Sequence, residues 1–260
     1  MIKRYESTED FATAVRGCSN PYGTGSFVGH MEFETARLKT LQGDDSYVAE
    51  AEKLLDLLDA SVETPHAEWV GSVYGAYPIV PEFLAGSPTP MRHRQNVEGD
   101  NSPITIYVST TCSAGISTET MLKRGVAILA LVLKMQQIRP IELCLLAETH
   151  GRTDGEYLQV IPIITKPVDI SVAAFTLCHV AFARQLTYGA AIRDDKFNGS
   201  WPNTYNGGGA PWEAHVREAL GMAEQDLYIG SARMWDDMIT KPVEWVNAQV
   251  KRFTEVREGE

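Results

Sequence analysis

The residues best placed to do chemistry are three alternating hydroxyls, Ser109, Thr111 and Ser113. They follow directly on 104–108 (ITIYV), a run with strong β-propensity and apolar residues on both faces. Parallel α/β sheets bind their ligands at the carboxyl ends of strands, so this strand end is where a site is expected. A hard divalent cation needs anionic oxygen, which neutral hydroxyls do not supply. The expectation is therefore no metal and no cofactor. Ser109, Thr111, Ser113 and Ser117 become the candidate residues for contact with a partner or ligand. The competing role is structural: Ser117 can cap a helix starting at 118, and the other hydroxyls can satisfy loop backbone groups.

A second group carries charge and π-faces. Arg92, His93 and Arg94 form a tight basic cluster, and Trp201, Tyr205 and Trp212 mark an aromatic-rich stretch. Cations beside aromatics bind single-stranded nucleic acid by stacking, which makes Arg92, His93, Arg94, Trp201 and Tyr205 candidates for that role. The plainer alternative has Trp201 and Trp212 pinning a long loop to the domain. Other pairings fail on geometry. Cys178 and His179 are adjacent on a helix and point about 100° apart, so they make no thiol–imidazole dyad. Glu148, His150 and Asp154 match no standard ligand spacing and read as a solvated loop. The glycines at 23–25 and 207–209 lack a Gly-Lys-Ser/Thr ending, and no Gly-x-Ser-x-Gly elbow occurs. Arg124-Gly125 sits inside an otherwise apolar helix. Close packing of that helix on the sheet, with Arg124 paired to a carboxylate, would account for both.

The elements that must position these residues follow from periodicity. Helices are expected at 32–41, 47–58, 118–137, 212–223 and 242–256, with Asp169 capping another that runs to about 188. Strands are expected at 104–108, 141–146, 157–164 and 227–229. Pro162 argues that the third of these is irregular or at an edge. Strand, helix, strand within about forty residues implies a right-handed crossover and parallel pairing. The segment 69–86, broken by glycine and proline, reads as an irregular strand followed by a turn of helix. Residues 91–94 read as an exposed connection.

Composition sets the outer limits. The chain has 260 residues, 44% hydrophobic and 22% charged, which excludes a disordered chain. A formal charge of −11 disfavours tight non-specific duplex binding. Four cysteines, none in a CxxC pair, suit free thiols in a reducing compartment. The first residues, MIKRYESTEDF, lack the apolar run of a signal peptide, and the apolar run near 126–132 is too short to cross a bilayer. A cytoplasmic location is expected.

Two resemblances add to this reading. The order of elements from 103 to 256, with Ser109-x-Thr111-x-Ser113 at the first strand end, resembles the von Willebrand factor A fold. In that fold an Asp-x-Ser-x-Ser motif binds a magnesium-type ion. Ser109 stands at the Asp position, which implies a metal-degenerate version. Across most of the chain the sequence also resembles an uncharacterised family of tailed-phage proteins. The carrying residues are GSFVG at 25–29, FETA at 33–36, SVYG at 72–75, FLAGSP at 83–88 with Met91, SAGIST at 113–118 and KRGVAILALV at 123–132.

Together these give an α/β fold with a mostly parallel, Rossmann-like and von Willebrand A-like sheet flanked by helices. Residues 1–100 form a helical N-terminal region and 101–260 the main domain. The resemblance implies a phage gene expressed during infection; with hydroxyls in place of a cation-holding carboxylate at 109–117, the expected role is a non-enzymatic recruitment protein acting on a phage or host protein partner in the host cell cytoplasm. One alternative is a single-stranded DNA-binding factor that recruits phage transcription or replication machinery. Another is a metal-dependent binding domain or hydrolase.

Overall fold

The computed structural model describes residues 1–18, 22–58, 67–72, 77–96, 103–112, 114–151, 155–164, 167–194, 203–204 and 210–254. The chain forms two compact units, one from residues 1–59 with 103–260, the other from 60–102. The division expected at residue 100 therefore falls differently. The first helices belong with the main unit because an N-terminal strand joins its sheet.

In chain order the larger unit begins with β1 (Ile2–Arg4), α1 (Thr8–Ala14), α2 (Phe33–Gln42) and α3 (Val48–Leu55). The smaller unit holds β2 (Ala67–Ser72), β3 (Tyr77–Pro78), α4 (Val80–Leu84) and β4 (Met91–Asn96). The larger unit resumes with β5 (Ile104–Ser109), α5 (Thr118–Gln136), β6 (Ile141–Gly151), β7 (Gly155–Ile163), α6 (Ile170–Cys178) and α7 (Tyr188–Arg193). It closes with β8 (Asn203–Thr204), α8 (Ala210–Leu220), β9 (Leu227–Ile229), α9 (Asp237–Thr240) and α10 (Pro242–Thr254).

The main sheet has the order β1-β7-β6-β5-β9, with the two-residue β8 paired to β6. β5 runs parallel to both β6 and β9, and β1 parallel to β7. The β6–β7 pair is antiparallel, a hairpin from Leu143 opposite Ile163 to Gly151 opposite Gly155. The fold is thus α/β with a mostly parallel sheet, as the sequence predicts. β7 corrects one expectation, because it lies inside the sheet between β1 and β6. Pro162, opposite Cys144, sits near its end, beyond the three residues that β1 pairs. A missing N–H is tolerated there because β1 asks nothing of it. β4 corrects another: residues 91–96 form the middle strand of a three-stranded antiparallel sheet.

α5 is the central helix. It contacts α3, α6, α9 and α10, which explains why it is apolar nearly all round. A Cβ added at Gly125 would meet Leu177 O at 2.5 Å and Cys178 Cα at 2.6 Å, so the close approach is to α6 rather than to the sheet. The helix expected from 170 to 188 is broken. His179 adopts an extended conformation, φ −102° and ψ 123°, and the two helical stretches meet at 73°. A π-helical turn follows at Phe182–Thr187. Among the described residues no single helix is long and apolar enough to cross a membrane.

Candidate functional site

The carboxyl ends of β5, β6 and β9 converge on a buried polar cluster. Ser109 and Thr111 have no solvent exposure. Their hydroxyls lie 2.9 Å apart, and Ser109 Oγ donates to Glu148 Oε2 at 3.1 Å. Glu148 Oε1 accepts from Tyr228 Oη at 2.8 Å. This places Glu148 in β6, 1% exposed, and not in a solvated loop. Burial raises its carboxyl above the usual range, opposed by hydrogen bonds from Tyr228, Ser109 and Trp212. The signal was legible. Glu142, Cys144, Leu146 and Glu148 alternate along one face of a strand that runs past the apolar core of its sequence.

Arg124 lies beside this cluster with no solvent exposure. Its Nη2 donates to Ser109 O at 2.9 Å and Gly230 O at 2.7 Å. The expected carboxylate partner is therefore replaced by two backbone carbonyls, one from the end of β5 and one just past β9. Desolvation pulls the guanidinium below its ordinary value, and the charges of Asp236, Cys112 and Glu148 oppose this. Arg124 thus ties two strand ends together from beneath.

The same strand ends carry a surface feature. Beyond β9, Ala232 N–H donates to Thr111 O at 3.3 Å, and Cys112 and Ala232 form a parallel bridge. The chain then turns tightly: Arg233 N–H donates to Asp236 Oδ2 at 2.8 Å, and Asp236 N–H returns to Arg233 O at 3.3 Å. This braced turn pushes Met234 and Trp235 outward, at 51% and 80% exposure. No sequence pattern singled them out, because an exposed tryptophan and a buried one look alike in a short polar stretch.

A second set of pins lies on the π-helical turn. Arg184 donates to Phe27 O at 2.9 Å and Ile116 O at 2.7 Å, and Gln185 Nε2 to Gly23 O at 3.1 Å and Met31 O at 2.7 Å. Arg184 is 2% exposed, so its task is to hold the glycine-rich loop and the entry to α5. His179 is a boundary residue. Its Nδ1 accepts from Ala181 N–H at 3.1 Å, and its ring stacks on Phe175. Burial lowers its pKa to about 4.

Of the residues singled out from sequence, Ser109 and Thr111 meet in the buried cluster and brace the strand end from inside. Ser117 caps α5, accepting from Thr120 N–H at 3.1 Å. Ser113, Trp201, Tyr205 and Asp154 lie outside the described residues. Arg92, His93 and Arg94 fall on β4 in the smaller unit. Trp212, 7% exposed, packs from α8 with Val216 against Leu146, Leu158 and Val160. Among the described residues no three His, Cys, Asp or Glu side chains stand together as a metal site.

No curated protein and no solved structure matches the chain. The family described as "Domain of unknown function (DUF7192)" matches residues 1–255. Covered almost from end to end by that match, the chain belongs to the DUF7192 family.

Proposed function

We propose that the protein is a phage-encoded, non-enzymatic binding protein that recruits a protein partner in the cytoplasm of the infected cell. It does so through the carboxyl-end loops of its sheet. The observation that carries this reading is Trp235, four-fifths exposed on a turn held by Asp236. A large aromatic displayed in water on a braced turn has the character of an interface anchor, where tryptophan is enriched. The hydroxyls below it bond to each other and to Glu148, so they fix the platform while the turn makes contact. The test is affinity capture with tagged protein from infected cells, wild type against Trp235→Ala at matched thermal stability. Partners that depend on the turn drop out of the variant's eluate. A partner set retained unchanged by Trp235→Ala refutes the reading.

A second reading, single-stranded nucleic-acid binding, is favoured by the register of the small sheet. Trp69 lies opposite Arg94, and both Gly71 and Tyr77 lie opposite Arg92. The register thus sets cationic residues opposite aromatic ones, the residue types that bind single strands by stacking. Fluorescence anisotropy with a labelled oligothymidine tests it. Arg92→Ala with Arg94→Ala should weaken binding. It should also flatten the salt dependence by roughly 0.7 log units per log unit of salt for each phosphate the arginines had neutralised. Equal affinity in wild type and double variant removes this reading.

A further inference from the structure

Resting on the reading of Met234–Trp235 as a docking element, we infer that a proton on Glu148 governs that turn. With the carboxyl protonated, β9 and the turn beyond it stay seated. When the proton leaves, water enters at the strand end and the turn loosens. The geometry around the carboxyl sets this up. Glu148 is 1% exposed, and both of its oxygens meet neutral hydroxyls, Oε2 that of Ser109 at 3.1 Å and Oε1 that of Tyr228 at 2.8 Å. Arg124, the buried cation beside the cluster, gives its Nη2 to Ser109 O and Gly230 O instead. Neutral donors do not repay the burial of a full charge, so an ionised Glu148 must draw in water.

The element that gives way is β9. It is three residues long, stands at the end of the strand order and, among the described residues, pairs with β5 alone. Tyr228 at its centre bonds to Glu148, and Gly230, the residue after it, bonds to Arg124. The charge of Asp236, which braces the turn through Arg233 N–H, also acts on Arg124. Carboxyl and turn thus share one short strand and one arginine.

The other titratable groups nearby come from every neighbouring element. β9 supplies Tyr228, and α5 supplies Arg124, with Cys112 and Asp236 near that arginine. On α8, the charge of Glu213 acts on Tyr228, and His215 stacks on Trp212. β5 contributes only the uncharged Ser109 and Thr111, and β7 sets Leu158 opposite. Burial pushes the Tyr228 phenol and the Cys112 thiol up, so both stay neutral near neutral pH. Burial also raises the Glu148 carboxyl, which fixes the sign: the turn is held at low pH and released as pH rises through the folded value.

Amide hydrogen exchange of the full chain, followed residue by residue between about pH 5 and 8 and corrected for intrinsic exchange, tests the inference. The amides to follow are Ala232 and Arg233, which donate to Thr111 O and to Asp236. In wild type their protection should fall with rising pH by up to about tenfold per pH unit, the limit for release of one proton. About 1 M urea should leave that exchange unchanged while speeding exchange in the middle of α5, because the opening is local. Glu148→Gln should hold the protection level across the range. Tyr228→Phe removes a hydrogen bond that favours the ionised carboxyl, so the fall should move to higher pH. Protection independent of pH in wild type overturns the inference. So does a fall that persists in Glu148→Gln, which would belong to Glu213, His215 or another group, or a turn that exchanges only with global unfolding. If protection is independent of pH while Trp235→Ala still loses its partners, the proton link falls and the docking turn stands. If the turn follows the proton while Trp235→Ala keeps every partner, the docking reading falls and the proton link stands.

Discussion

Gly125→Ala is a sharp test of how α5 is packed. On helix propensity alone the substitution should stabilise, since glycine costs a helix interior roughly 0.5–1 kcal/mol relative to alanine. The surroundings oppose it. The new methyl would lie 2.5 Å from Leu177 O, 2.6 Å from Cys178 Cα and 2.7 Å from Cys178 Sγ. Two of these three atoms belong to the backbone of α6 and cannot rotate aside, so the helices must separate. Overpacking of that kind costs about 1–3 kcal/mol and occasionally more, and backbone contact puts this site at the upper end. The net loss expected is about 2 kcal/mol, a fall in Tm of roughly 4–8 °C for a chain of this size. Gly189→Ala is the matched control. There the nearest atom is the edge of the Phe33 ring at 3.1 Å, which can tilt, so the change should stay within about 1 kcal/mol. Thermal melts followed by circular dichroism, with denaturant midpoints as a second measure, separate the two. A Gly125→Ala protein that melts at or above wild type, or no lower than Gly189→Ala, refutes the packing argument.

Three further outcomes follow from the buried polar groups. Arg124→Met keeps an unbranched apolar stem and removes the donor to Ser109 O and Gly230 O; two stranded carbonyls should cost roughly 2–4 kcal/mol in chemical denaturation. Glu148 has a raised pKa when folded, so its contribution is complete below its unfolded pKa and is lost as pH rises through the folded one. Glu148→Gln should therefore match wild type near pH 4 and gain on it steadily toward pH 8; a difference independent of pH contradicts the assignment. His179 has the opposite sign: with a folded pKa of about 4, its contribution is complete above pH 6.5 and is lost as pH falls toward 4, by up to roughly 3 kcal/mol. His179→Asn, which retains an acceptor for Ala181 N–H, should lose that part of the slope between pH 6.5 and 4 in urea titrations.

The central β5–α5–β6 crossover was legible because its residues obey one period at a time. Ile104, Ile106 and Val108 alternate, α5 is apolar all round, and Ser117 stands where a cap belongs. β1 was not legible, since three residues with two charges carry no strand pattern until β7 lies beside them. Pro162 misled for a related reason. A proline bars a ladder bond only where a neighbour asks for one, and β1 pairs with Leu158 through Val160. In β4, MRHRQN offers no hydrophobic alternation, and its strand conformation comes from pairing with β2 and β3 on either side. At the candidate site the hydroxyls were visible from sequence, but their direction was not. Glu148 and Tyr228, far apart in the chain, close over Ser109 and turn it inward. Trp235 depends on the brace between Arg233 and Asp236, which residue type alone does not announce.

The bond from Arg124 to Gly230 spans 106 residues. During synthesis α5 therefore leaves the ribosome long before one of its two acceptors exists. Until Gly230 emerges, sealing the crossover would enclose a cation with half its hydrogen bonding, so early closure is held back. Links of such long range slow folding, and they leave apolar strands open to other chains meanwhile. A chain ending before Gly230 would therefore leave Arg124 with one of its two carbonyl acceptors, so the crossover is complete only once β9 and the turn beyond it are in place.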